Sequence, residues 1–156
     1  MIPISRRNLL AAVAALVMSA STANAHDDKD QIIHLMKGMF DTPDNPLSVD
    51  PIVVRGDNAI AGWVQGDRGG RALLWRVKGD WQIRLCSGDA LKSPALLIDA
   101  NISAEDATAL VDELAAAEAK IDHAVLAKFS TFEGTMVMDG DSGHQGHNDG
   151  GSSAKQ

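Results

Sequence analysis

A single cysteine, Cys86, stands in the whole chain, so no intramolecular disulfide can form and stability has to come from packing. Basic charge is scarce too: 14 Lys and Arg face 21 Asp and Glu, giving a formal charge of −7 with no basic stripe. That balance excludes the electrostatic footprint of a nucleic-acid binder and offers nothing to an anionic membrane surface, while remaining compatible with attracting cations. Apolar runs of membrane length are lacking. The one sustained run, Leu9 to Met18, is too short to cross a bilayer, so no stable membrane insertion is expected. Several familiar sites fail for want of one part. Gly66 to Gly70 precedes a strand pattern where a nucleotide loop needs a helix. Asp139-x-Asp141-x-Gly143 starts like a calcium loop, but Gly150 stands where the closing Glu belongs. No spacing promotes a Ser/His/Asp or Cys/His triad, and an enzyme is not expected.

What is present begins with an export signal over residues 1–25. Arg6-Arg7 give a positive start, Leu9 to Met18 the apolar core, and Ala23-Asn24-Ala25 a small-x-small cleavage site. Ser5-Arg6-Arg7-Asn8-Leu9-Leu10 also resembles a twin-arginine signal, leaving the general and twin-arginine routes both open. The expected mature chain is periplasmic and starts at His26. It has 131 residues, and losing Arg6 and Arg7 moves its formal charge from −7 to −9. That length supports one domain, over residues 26–138, followed by a flexible Gly/His/Asp-rich tail over residues 139–156 that is expected to be disordered.

Ile32, Leu35, Met36 and Met39 repeat at helical spacing and predict a helix from about Asp28 to Met39, ended by Thr42-Pro43-Asp44-Asn45-Pro46. Four strand-like segments follow: Val49 to Arg55, Ala59 to Gln65, Arg71 to Val77 and Trp81 to Cys86. Short strands joined by Gly/Asp turns predict a four-stranded antiparallel meander, with Pro51 suggesting an edge position for the first. Strict alternation in the last strand puts Trp81, Ile83 and Leu85 on a core face and Gln82, Arg84 and Cys86 on the other, leaving Cys86 on the more polar side unless a later helix covers it. Ser93-Pro94, Ser103-Ala104-Glu105-Asp106 and Asp122 read as starts of three C-terminal helices, and Phe132 to Met138 as one more extended segment. The fold class is α+β, with the C-terminal helices packed on the sheet.

The candidate chemistry is metal binding. Met136-x-Met138 precedes His144-x-x-His147; thioether suits reduced copper and imidazole the oxidised ion, and an exported protein meets both. The opposing reading makes Met136 and Met138 core packing on one strand face. Thioethers do not titrate, so reduced copper held by them is expected to survive mild acid. Cys86 is a further candidate, as thiolate ligand or redox-sensitive thiol against a plain buried thiol. His26, once first in the chain, offers its amine and imidazole together. Met36 and Met39 read as core, and His34 and His123 as doing nothing specific.

Gly56-Asp57-Asn58-Ala59-Ile60-Ala61-Gly62-Trp63 and Gln65-Gly66-Asp67-Arg68-Gly69-Gly70-Arg71-Ala72-Leu73-Leu74 resemble a family of copper uptake system-associated proteins. Leu85-Cys86-Ser87-Gly88-Asp89-Ala90-Leu91-Lys92 and Phe129-Ser130-Thr131-Phe132-Glu133-Gly134 are similar to it too, so the resemblance covers roughly Asp28 to Met138. It implies a small exported bacterial protein associated with a periplasmic copper chaperone or an outer-membrane copper receptor, and it carries no ligand set. The expectation is an accessory protein of copper uptake. The alternative is a helix-plus-curved-sheet pocket for a small apolar molecule, lined by Trp63 and Trp75.

Overall fold

The computed structural model describes residues 21–138; the predicted signal core and the tail with His144 and His147 lie outside the described residues. The architecture is α+β. Helix α1 (Ser21–Phe40) leads into strands β1 (Leu47–Arg55), β2 (Asn58–Gln65), β3 (Arg68–Val77) and β4 (Asp80–Ser87). Helices α2 (Pro94–Asp99), α3 (Ala104–Glu118) and α4 (His123–Phe129) follow, and β5 (Thr135–Val137) closes the order. All neighbours pair antiparallel in the order β1-β2-β3-β4-β5, so the last extended segment turns the expected four-stranded meander into five strands. Tight turns join the first strands because Gly56 and Gly66 take the positive φ they require, 57° and 63°. Pro51 sits on the edge strand β1, in the break of the β1–β2 register between Val49 and Ile52. Among the described residues no helix is long and apolar enough to cross a membrane.

Both faces of the sheet are covered. On one, Ile32 and Met36 of α1 pack on Leu47, Val49, Ile52, Ala59, Ala61, Ala72, Leu74, Trp81 and Ile83. On the other, Val53, Ile60, Leu73 and Leu85 meet Leu97 of α2 and Ala107, Leu110 and Leu114 of α3. The helix starts follow their capping residues. Pro94 occupies the first turn of α2, Ser103 Oγ accepts from the Asp106 N–H at 3.1 Å, and Asp122 accepts from Ala124 at 2.8 Å. Helix α1 begins at Ser21, earlier than Asp28, and Met39 is 53% exposed although it shares the stripe of Ile32 and Met36. Periodicity defines a helix face but not whether a partner lies opposite it.

The alternation expected in β4 is broken. Leu73 pairs with Leu85, but the next residue, Leu74, pairs with Ile83, so Arg84 is an extra residue in the strand. Such a bulge flips every side chain beyond it. Leu85 therefore joins the α2–α3 core, whereas Cys86 turns to the α1 side with Trp81 and Ile83 and is 7% exposed. Cys86 is not on a polar face.

The chain after α4 crosses from one face to the other around the end of β2, β3 and β4. Glycine makes the crossing possible: a Cβ at Gly70 would stand 2.9 Å from the Phe132 Cβ, and one at Gly88 2.5 Å from the Phe132 carbonyl oxygen. Beneath it lies Arg71, 1% exposed. Its Nε and Nη2 donate to both Glu118 carboxylate oxygens at 2.6 and 2.9 Å, and Nη1 donates to the Gly88 carbonyl at 3.2 Å. The pair ties the end of α3 to the sheet.

Candidate metal centre

Strand β5 is held at the edge of β4 by ladder bonds and by side chains. Ser87 Oγ donates to the Gly134 carbonyl at 2.8 Å and lies 3.1 Å from the Thr135 hydroxyl, while the Met138 N–H donates to the Arg84 carbonyl at 2.8 Å. In this register Met136 is the direct partner of Cys86. Paired residues point to the same face of a sheet, so both side chains look towards α1. The bulge at Arg84 is what makes this possible: without it Cys86 would face α2 and α3.

Between β5, the end of β4 and the last turns of α1 is a cavity of about 120 Å³. Met36, Cys86, Met136 and Met138 are the sulfur-bearing residues of its lining, and Phe40, Leu47, Trp63 and Phe132 make up most of the rest. The indole of Trp63 and the ring of Phe132 meet edge to face, centroids 5.8 Å apart. Gln65 is the polar residue of the lining. Its side-chain N–H groups are spent on the carbonyls of Phe40 and Asn45, at 2.7 and 2.8 Å, which holds the chain between α1 and β1 against the sheet. Burial pushes the Cys86 thiol up to about 11. It is a desolvated thiol in an apolar wall and carries its proton at neutral pH.

The sequence-predicted ligands divide into three groups. Met136, Met138 and Cys86 are brought together at this cavity. His26 is not: it is exposed, its Nδ1 lies 3.1 Å from Asp30 Oδ2, and it sits about 15 Å along the helix axis from Met36. His144 and His147 lie outside the described residues. The two tryptophans proposed for a shared pocket separate. Trp63 lines the sulfur cavity, but Trp75 is on the opposite face, stacked with the Arg84 guanidinium at 4.6 Å and flanking an open groove of about 350 Å³ with Leu96, Ala100 and Val137.

Met36 was legible only as a core residue. It is one, at 1% exposure, and it also lines the cavity. Nothing local in the sequence links α1 to a strand a hundred residues later. Among the described residues no three or more His, Cys, Asp or Glu side chains converge on a point, so the donors gathered here are thioethers and one thiol. Such a soft set suits monovalent copper and is poorly matched to calcium or magnesium, which take oxygen. No protein-family model matches the chain, and no curated protein and no solved structure matches it either.

Proposed function

We propose that this chain is an exported, non-enzymatic accessory protein of copper uptake, which binds copper in the periplasm and hands it to a partner such as a periplasmic copper chaperone or an outer-membrane receptor. The observation that carries this reading is the convergence of Met136, Met138 and Cys86 on one apolar cavity. These are residues whose chemistry points to copper from the sequence alone. The size of the cavity supports an ion over an organic molecule. About 120 Å³ is well below the 300–1,000 Å³ typical of pockets that bury small ligands. The acidic balance of the chain also favours a cation as cargo. The export signal over residues 1–25 supports the compartment, and the resemblance to copper uptake system-associated proteins supports the partners.

The test is an equilibrium titration of the chain from His26 to Gln156 with reduced and with oxidised copper, set beside a variant lacking residues 143–156. The full chain is expected to bind both states. The shortened one should lose mainly the oxidised-copper component, the part that weakens as pH falls through about 6.5, where imidazole takes up a proton. A full chain that binds neither state sinks the proposal. A second reading, a small apolar ligand, is favoured by the groove beside Trp75, whose volume of about 350 Å³ lies within the small-molecule range. A stoichiometric organic molecule found by native mass spectrometry, with no copper bound, replaces the first reading by the second.

A further inference from the structure

We propose that the cavity is a site for one Cu(I) ion, ligated by the thioethers of Met36, Met136 and Met138 and by the Cys86 sulfur. The inference rests on the copper reading above and deepens it, naming the oxidation state and a ligand from α1.

The donors come from three separate elements. Cys86 and Met136 are cross-strand partners, which places their Cβ atoms about 5 Å apart. Met138 follows on the same edge, and Met36 comes from α1 on the far side of the cavity. Among the described residues no carboxylate or imidazole lines the space, and Gln65 has its amide N–H groups engaged elsewhere. An all-sulfur set selects Cu(I) over the divalent ion, which prefers nitrogen and oxygen. Met136 is 56% exposed and stands at the mouth, while Met36 is closed off inside. An ion therefore meets an accessible thioether first and buried ones afterwards.

Charge decides the part of Cys86. Three neutral thioethers around Cu(I) leave a net positive charge in an apolar wall, which is costly. A thiolate cancels it. In loading, the Cys86 S–H bond breaks, an S–Cu bond forms and the proton leaves to solvent; copper stays in the +1 state throughout.

The experiment is Cu(I) competition against a chromophoric chelator at neutral pH, using the chain from His26 to Gln156, with unfolding curves recorded in parallel. One ion is expected. Cys86→Ser should bind more weakly. Met36→Leu, a volume-conserving change, should weaken binding about tenfold or more with little change in the unfolding midpoint. Met136→Leu, at an exposed position, should do the same even if the Met36 variant folds poorly. Removing residues 143–156 should leave Cu(I) affinity unchanged. Met136→Leu binding Cu(I) like the wild type overturns the cavity site while leaving copper binding by the tail intact. Wild-type chain that binds copper in neither state removes both readings together.

Discussion

The two faces of the sheet are closed by different means. On the α2–α3 side Leu97, Leu110 and Leu114 are buried against Ile60, Leu73 and Leu85, the open groove beside Trp75 lies at the edge, and buried Arg71 meets a buried anion, Glu118, in a two-pronged pair under the Phe129 ring. On the α1 side the core around Ile32 gives way near β5 to a cavity lined by Met36, Cys86, Met136 and Met138. Strand β5 is only three residues long, and its side chains are exposed. One face buries an ion pair and leaves its gap as an open groove at the edge. The other has its gap inside the packing, among three methionines and the cysteine.

The sharpest way to break this comparison is Glu118→Ala. It leaves buried Arg71 with only the largely exposed Asp89 carboxylate, 3.2 Å from its Nη1, and removing the buried partner of such a pair costs up to about 3–5 kcal/mol. Urea unfolding should show that loss, while the folded fraction should still bind copper normally, because the pair is on the opposite side of the sheet from the cavity. Loss of copper binding in the folded protein would mean that the faces are not independent.

Cys86 tests the α1 face through pH. The thiol rises from an ordinary 9.0 to about 11 on burial, so between those values the unfolded chain has released a proton that the folded chain retains. The resulting stability is fully present below about pH 9 and is lost as pH rises through about 11, a decline of about 2–3 kcal/mol. Unfolding curves at about pH 8 and pH 10.5, compared with those of Cys86→Leu to subtract the lysines, measure it. A wild-type protein no more alkali-sensitive than the variant would place the thiol in water.

Gly88→Ala strikes the crossing between the faces. The new methyl would stand 2.5 Å from a backbone oxygen of Phe132, so the segment leading to β5 has to move. A cost of about 1–3 kcal/mol is expected, with a change in Trp63 fluorescence because its partner Phe132 shifts. Unchanged stability and emission would show that the crossing has slack.

What the sequence disclosed was local, and what it hid was distant. Turns such as Gly56-Asp57, the caps Ser103 and Asp122, and Pro94 in the first turn of α2 act within three or four residues, and each is where the pattern places it. The bulge at Arg84 is a one-residue slip fixed by packing on both faces, and alternation alone puts Cys86 on the wrong side. Arg71 reads as a strand-start charge until Glu118, 47 residues away, is brought beside it. Met36 and Met136 meet across most of the domain for the same reason: β5 pairs with β4 only after three helices have intervened. Of the residues the sequence offers to copper, Met136, Met138 and Cys86 meet at the cavity, and Met36, from the opposite end of the described chain, joins its lining.

The smallest expected effect is also the most direct comparison of the faces: the same side chain is introduced on each. Cys86→Leu adds volume beside a cavity of about 120 Å³, so the extra methyl groups have room to settle in normal rotamers. The unfolding free energy should stay level or rise by up to about 1 kcal/mol, as cavity-filling changes do. Ala107→Leu adds a larger increment on α3, at a position 0% exposed and enclosed by the filled core. There the branched side chain has to displace its neighbours, at a cost of about 1–3 kcal/mol. The sign of the difference is what matters. If Leu at residue 86 costs as much as Leu at residue 107, the α1 face is as tightly filled as the other and has no space for an ion. If Cys86→Leu is neutral and at the same time abolishes Cu(I) binding, the gap in the packing and the metal site are one and the same.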